Sequence, residues 1–139
     1  EDVGGNIISV QETSPDLAHK YGIVATGEQR GNAFEITDMV EKPAPGTAPS
    51  NLYINGRYIL QPKIMNLLAN QATGAGGEIQ LTDAMLTMMK SEPYFGVSFD
   101  GRTYDCGSKF GYLEANVMLA LKHDDTRDEL VELIKSLDL

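Results

Sequence analysis

The segment around which the fold is organised reads Phe-Glu-Ile-Thr-Asp-Met-Val-Glu-Lys-Pro and covers residues 34–43. Apolar and polar residues alternate over its first half, and an apolar pair follows, which is typical of a strand with one buried face. Pro43 has no amide hydrogen to donate and ends the strand. A carboxylate and an ammonium group, those of Glu41 and Lys42, therefore stand at a strand end, where open α/β sheets bind their ligands.

The segments on either side of this strand predict a mixture of strands and helices. β-branched and aromatic runs between turn residues predict strands at 6–10, 21–25, 52–60 with a bulge at Gly56, and 94–99 forming a hairpin with 102–104. Apolar residues at helical spacing predict helices at 17–20, 62–69, from Thr82 or Asp83 to Met89, after Ser108, and at 125–139. On the helix after Ser108, Phe110, Leu113, Val117 and Leu121 are expected to line one face. Because helices alternate with strands, the predicted class is α/β.

Composition and charge exclude several classes of protein. The length of 139 residues predicts one domain, and a hydrophobic content of 42% argues against disorder. The 20 acidic and 11 basic residues give a net charge of −9, which argues against a nonspecific nucleic-acid partner and against an anionic membrane surface. No apolar run is long enough for a membrane span, and no signal segment opens the chain. We therefore expect no nucleic acid, no membrane and a cytoplasmic location.

Cysteine and histidine contribute little to the expected chemistry. Cys106 is the single cysteine, so an intrachain disulfide and a zinc site of several cysteines are excluded. A buried structural thiol is favoured over a nucleophile at this position. The two histidines, His19 and His123, lie in polar segments and are expected at the surface of helices.

Two acidic positions admit both a functional and a structural interpretation. Glu41 can accept hydrogen bonds from hydroxyl groups and Lys42 can contact a phosphate, but adjacent strand residues face opposite sides, so both reach one ligand only if the strand twists or bulges before Pro43. A solvated ion pair is the alternative. Asp105 can bind Mg²⁺ together with phosphates and water, or accept hydrogen bonds within a turn.

The glycine-rich loop at 73–78 lacks the Gly-Lys-Ser/Thr ending of a phosphate-binding loop, so a plain mobile loop is favoured there.

Four segments in order resemble one known family. They are Tyr-Gly-Ile-Val at 21–24, Val-Glu-Lys-Pro at 40–43, Gly-Gly-Glu-Ile-Gln-Leu-Thr-Asp-Ala at 76–84 and Tyr-Asp-Cys-Gly-Ser-Lys-Phe-Gly-Tyr at 104–112, with 48–52 and 56–58 between them. This set resembles the C-terminal half of bacterial UTP–glucose-1-phosphate uridylyltransferase, the UDP-glucose pyrophosphorylase family. The resemblance covers nearly the whole chain, and each motif is short while the ordered set is specific.

The resemblance implies a fold and a reaction. The fold is α/β, with a mixed, mostly parallel sheet flanked by helices, like other nucleotide-diphospho-sugar transferases. The reaction forms UDP-glucose and pyrophosphate from UTP and glucose 1-phosphate with Mg²⁺ as cofactor. Gly22 is similar to the glycine whose backbone approaches the sugar, and Glu41 to the carboxylate that holds sugar hydroxyls. Lys42 is similar to the catalytic lysine on the sugar phosphate, and Asp105 to a Mg²⁺ ligand of related nucleotidyltransferases.

One departure from the family pattern concerns the nucleotide. The chain has neither an initiator methionine nor a Gly-x-Gly-Thr-Arg segment, which the family uses to hold the nucleotide phosphates. We expect residues 1–139 to be the sugar-phosphate side of a single nucleotidyltransferase domain, with a C-terminal helix at 125–139, and to be inactive alone.

Three functions are open on this basis. The first is the uridylyltransferase, and the second is another sugar-nucleotide pyrophosphorylase with the same fold. The third is a non-catalytic oligomerisation or binding fragment, because the apolar stripe of 125–139 either packs on a second copy or caps its own core. The family resemblance implies a homo-oligomer.

Overall fold

The computed structural model describes residues 4–74, 77–98 and 100–137. The strands are β1 (Asn6–Glu12), β2 (Gly22–Arg30), β3 (Ala33–Glu41), β4 (Leu52–Ile59) and β5 (Tyr94–Ser98). A 3₁₀ helix covers Pro15–Lys20, and the α-helices are α1 (Lys63–Asn70), α2 (Leu81–Met89), α3 (Lys109–Lys122) and α4 (Asp124–Lys135). Contacts divide the chain into a first unit that ends at Asp100 and a second that begins at Gly101.

The five strands of the first unit form a sheet that closes on itself in the order β1-β4-β2-β3-β5. Among these described strands, only β1 and β5 pair in parallel, and the other four pairings are antiparallel. The expectation of a mostly parallel sheet is therefore wrong. The physical reason is the length of the connections, because β2 and β3 are joined by a two-residue turn that only an antiparallel pair can accommodate. β5, which pairs in parallel with β1, is connected to β4 through the helices α1 and α2.

The core of the first unit lies between the sheet and the helices α1 and α2. Phe34 and Ile36 of β3 are buried, as the alternation in the sequence predicts. Met39 is also buried, although it lies three positions after Ile36, where strict alternation would place it on the other face. The register of the β2–β3 pairing shifts between Ala25 and Thr26. The remaining buried members of this cluster are Ile8, Val10, Val24, Ile64, Ala84, Met85, Met88 and Tyr94.

A close contact between β3 and β5 depends on a glycine. Phe34 lies opposite Gly96 in the register of the two strands. A Cβ atom on Gly96 would overlap the ring of Phe34, so glycine leaves the space that this ring fills.

Some local predictions are confirmed and others are wrong. The bulge in β4 is present, because the register shifts between Ile8 and Val10 of β1 and Gly56 has a φ of 85°. The hairpin after residue 98 is absent, since 101–104 form no strand among the described residues. Gln80, not Thr82 or Asp83, is the N-cap of α2. Ala75 and Gly76 of the glycine-rich loop, Phe99 of the predicted strand, and residues 138–139 of the predicted last helix lie outside the described residues.

The second unit consists mainly of α3 and α4. Ser108 caps α3 by accepting a hydrogen bond from the Gly111 amide at 3.0 Å. The predicted stripe of α3 is largely solvent-exposed, with Phe110 at 76% and Leu113 at 61%. The apolar stripe predicted for 125–139 is exposed as well, at Leu133 and Ile134 of α4 and at Leu137 after it. No helix in the described part of the chain is both long and apolar enough to cross a bilayer.

Tyr94 carries an unusual buried hydroxyl group. Its side chain is fully buried, and within the described part of the chain the hydroxyl has no hydrogen-bond partner. Burial, and then the negative charge of Glu92, raise its pKa to about 12. Above pH of about 10 the unfolded chain loses this proton while the folded chain keeps it, so the free energy of unfolding falls by about 1.4 kcal/mol per pH unit until the folded pKa is reached.

We predict that Tyr94→Phe leaves stability at pH 7 unchanged or raised, since it removes an unpaired buried polar group. The same variant should lose less stability than the wild type between pH 10 and 12. Urea denaturation at several pH values measures both effects, with the exposed Tyr112→Phe as the control. An equally steep alkaline loss in Tyr94→Phe would contradict the prediction.

Candidate functional site

The pairing of β2 with β3 places two of the predicted site residues opposite each other. Gly22 at the start of β2 is the register partner of Glu41 at the end of β3. An ideal Cβ atom on Gly22 would lie 3.0 Å from Glu41 Oε2 and 3.4 Å from Ile54 Cδ1. Glycine at this position therefore keeps free the space beside the carboxylate.

The backbone of Lys42 turns sharply after the strand. Its φ is 46°, and Lys42 is the only non-glycine residue with a positive φ in the described ranges. Lys42 Nζ lies 3.9 Å from Glu41 Oε1, so the two adjacent side chains reach the same space instead of opposite faces. The twist before Pro43 that a shared ligand requires is therefore present.

Solvent exposure leaves the pair free to meet a ligand. The Lys42 side chain is 67% exposed and that of Glu41 is 46% exposed. An ion pair this exposed contributes little to stability, at most about 1 kcal/mol. The pair therefore does little for the fold, and its charged groups are accessible from solvent.

Two further side chains interact with the Glu41 carboxylate, and the sequence analysis assigned neither of them to the site. The hydroxyl of Thr82, at the start of α2, donates to Glu41 Oε2 at 3.5 Å. The pKa of the Tyr58 hydroxyl is raised by burial and then by the negative charge of Glu41. Thr82 lies within the 76–84 motif and Tyr58 within 56–58. Membership in these motifs was the only indication in the sequence that the two residues belong to the site.

Asp105 belongs to the second unit, where it shapes the turn before α3. Its Oδ1 accepts from the Gly107 amide at 3.0 Å, and its carbonyl accepts from the amide and hydroxyl of Ser108 at 3.2 and 3.1 Å. A Cβ on Gly111 would overlap that carbonyl. The structural interpretation of Asp105 as a turn residue therefore explains one of its two carboxylate oxygens, Oδ1.

The other expected features divide into those that come together and those that do not. Gly22, Glu41 and Lys42 meet in the first unit, whereas Asp105 is in the second. Cys106 is exposed, so the expectation of a buried thiol is wrong. Within the described ranges, no group of three or more His, Cys, Asp or Glu side chains is placed to hold a metal ion.

The family of the chain follows from comparison with known proteins. The family model for nucleotidyl transferases matches residues 2–122, which end with α3. The chain belongs to the nucleotidyl transferase family. The match covers most of the chain and ends before α4. The comparisons assign the chain to the N-terminal region of the family, so the expected assignment to its C-terminal half is wrong.

Curated members of the family at 45–46% identity carry one activity in their names. The chain is 45% identical over 139 residues to UTP–glucose-1-phosphate uridylyltransferase 2 of Staphylococcus saprophyticus. It is 46% identical over 137 residues to UTP–glucose-1-phosphate uridylyltransferase of Staphylococcus haemolyticus. These alignments include 100% and 99% of the chain but 48% of each relative. The chain thus spans about half the length of the curated relatives it matches.

Solved structures of this family share the fold. A UDP-glucose pyrophosphorylase in complex with UDP-glucose is 40% identical with a TM-score of 0.77, over 85% of this chain and 45% of that one. The UTP-bound enzyme from Acinetobacter baumannii is 38% identical with a TM-score of 0.83, over 96% of this chain and 46% of that one. The likeness therefore extends to both backbone and sequence, and it supports a nucleotidyltransferase enzyme.

We predict that Lys42→Gly raises the stability of the chain although it removes a charge. A left-handed backbone costs a non-glycine residue roughly 1–2 kcal/mol, whereas glycine adopts it freely, so we expect a gain of about 1 kcal/mol. Lys90→Gly is the matched control, because Lys90 has an ordinary φ of −64° and should lose stability. Urea denaturation measures both changes, and a loss in both variants would count against strain at Lys42.

Proposed function

We propose that the chain is the sugar-phosphate side of a UTP–glucose-1-phosphate uridylyltransferase, which forms UDP-glucose and pyrophosphate. The observation that carries the proposal is the accessible Glu41–Lys42 pair, whose side chains lie 3.9 Å apart beside Gly22. A neighbouring carboxylate and ammonium group match the two halves of a sugar phosphate, its hydroxyl groups and its phosphate. The relatives named above supply the choice of substrates.

Glu41 is proposed to hold the hydroxyl groups of the glucose ring. Its carboxylate is an acceptor that sugar hydroxyls can use, and charge-assisted hydrogen bonds of this kind are stronger than neutral ones. Thr82, at 3.5 Å, contributes a hydroxyl from one side, and Tyr58 lies close enough to Glu41 for its pKa to respond to the carboxylate. Gly22 lets the ring approach the backbone, since it adds no side chain next to Glu41 Oε2.

Lys42 is proposed to act on the phosphate during the reaction. An oxygen of the glucose 1-phosphate attacks the α-phosphorus of UTP, a new P–O bond forms, and the bond to the β-phosphate breaks as pyrophosphate leaves. Two polyanions must meet for this step, so positioning and charge stabilisation dominate its barrier. The Lys42 ammonium offsets part of that charge. No general base is required, because the attacking phosphate is already ionised.

Mg²⁺ is the proposed cofactor, and Asp105 is the residue of this chain proposed to contact it. With Oδ1 engaged by Gly107, one oxygen is left to a cation. This fits Mg²⁺, which takes few protein ligands and fills the rest of its octahedron with phosphates and water. When bound, the ion would polarise the nucleotide phosphates.

The proposal also covers the nucleotide site, the assembly and the location of the protein. The nucleotide phosphates are expected to bind outside this chain, which lacks the Gly-x-Gly-Thr-Arg segment. A homo-oligomer, with the exposed stripe of α4 against a second copy, and a cytoplasmic location stay predictions. Another sugar-nucleotide pyrophosphorylase is separated from the proposed enzyme by assays with several sugar 1-phosphates and nucleoside triphosphates.

We predict that the purified 139-residue chain binds glucose 1-phosphate but forms no UDP-glucose from it and UTP. Calorimetric titration measures the binding, and a coupled assay measures the product. Absence of binding would contradict the sugar-phosphate site, while detectable UDP-glucose would contradict the proposed division of the two substrates.

We predict that Lys42→Ala lowers kcat/KM for glucose 1-phosphate by about 100-fold in the complete protein that contains this chain, since a charge on the reacting phosphate is lost. Stability should change little, because the side chain is exposed. Lys90→Ala is the control of equal charge and should stay within about twofold of the wild type, since Lys90 is not in the proposed site. Activity of Lys42→Ala near that of the wild type would contradict the assignment.

A further inference from the structure

The left-handed backbone of Lys42 requires an explanation in the surrounding structure. A lysine does not adopt a φ of 46° by preference, so neighbouring groups must hold it there. The ion pair with Glu41 is too exposed and too long, at 3.9 Å, to supply this restraint. Pro43 limits its neighbour chiefly by disfavouring the right-handed helical region, which leaves extended conformations open.

A hydrogen bond to Tyr21 is the direct restraint on Lys42. The Lys42 amide donates to the Tyr21 carbonyl at 3.0 Å, where the antiparallel pairing of β2 and β3 ends. The Tyr21 amide in turn donates to the Ala18 carbonyl at 3.2 Å, at the end of the 3₁₀ helix. The direction of the Lys42 backbone therefore depends on where Tyr21 is held.

The ring of Tyr53 lies against the ring of Tyr21. The centres of the two rings lie 4.6 Å apart with their planes tilted by 34°, a separation at which aromatic rings attract each other. Tyr53 is the register partner of Gln11 in β1 and of Ile23 in β2, so it lies where β4 joins the two strands. Its hydroxyl also donates to Gln11 Oε1 at 3.0 Å.

We propose that Tyr53 is a positioning residue for Lys42. Its ring fixes Tyr21, the Tyr21 carbonyl fixes the Lys42 amide, and the resulting left-handed turn brings the ammonium group to the same side as the Glu41 carboxylate. The Tyr53 side chain itself is not placed in contact with the ligand. The effect on ligand binding rests on the proposed function, whereas the effect on the Lys42 backbone does not.

The first test measures glucose 1-phosphate binding to the chain by calorimetric titration. Tyr53→Leu removes the ring and should raise Kd about fivefold or more, because a small misplacement of a binding group weakens its contact. Tyr53→Phe keeps the ring and Ile64→Val removes one core methylene group elsewhere, so both should stay within about twofold of the wild type. Any other pattern among these variants overturns the role of the ring.

The second test uses no ligand and compares melting temperatures. Lys42→Gly should raise Tm in the wild-type background and not in Tyr53→Leu, where Lys42 is no longer held in the strained conformation. Equal gains in both backgrounds, or no gain in the wild type, overturn the proposal. If the wild-type chain binds no glucose 1-phosphate, the proposed function fails. The comparison of Lys42→Gly in the two backgrounds then decides the role of Tyr53 by itself. Should Tyr53→Leu not fold, Tyr21→Leu breaks the same ring contact and is judged by the same criteria.

Discussion

The antiparallel pairing of β2 with β3 is the constraint on which the candidate site depends. The pairing begins at the two-residue turn between Arg30 and Ala33 and ends with Gly22 opposite Glu41. Because the backbone hydrogen bonds of this ladder fix the register, a slip of one residue would move every side chain to the other face. The space beside the Glu41 carboxylate, which a Cβ on residue 22 would narrow, exists only in the observed register.

The overall charge of the chain makes the local geometry important. A net charge of −9 repels anions, so a phosphate must be attracted by groups within a few ångströms. Lys42 places one positive charge at the strand end, and its left-handed backbone keeps that charge on the same side as the sugar-binding carboxylate we propose. A conformation that costs free energy is retained where it serves this geometry, which is a known feature of functional sites.

Local patterns in the sequence predicted much of the fold and part of the site. The alternation of residues 34–37, the stop at Pro43 and the glycine at 56 are short-range signals, and the structure has a strand, its end and a bulge at these places. The mostly parallel sheet came from the family resemblance, and the hairpin at 94–104 from local turn residues. The parallel sheet was wrong because β2 and β3 are joined by a two-residue turn, which requires antiparallel pairing. The hairpin was wrong because turn residues alone do not decide whether two segments pair, which also depends on packing.

The amino-acid order was enough to place Glu41 and Lys42 at a strand end, since alternation and proline act on neighbouring residues. It left open whether the two side chains share one ligand, and it gave no role to Tyr58, Thr82 or Tyr53. Those answers required the folded chain, because Tyr53 and Tyr58 lie in β4 and Thr82 lies in α2. Both elements are separated from β3 in sequence, and only the folded unit brings them near the Glu41–Lys42 pair. Contacts of this kind are set by the balance of packing and register over the whole unit.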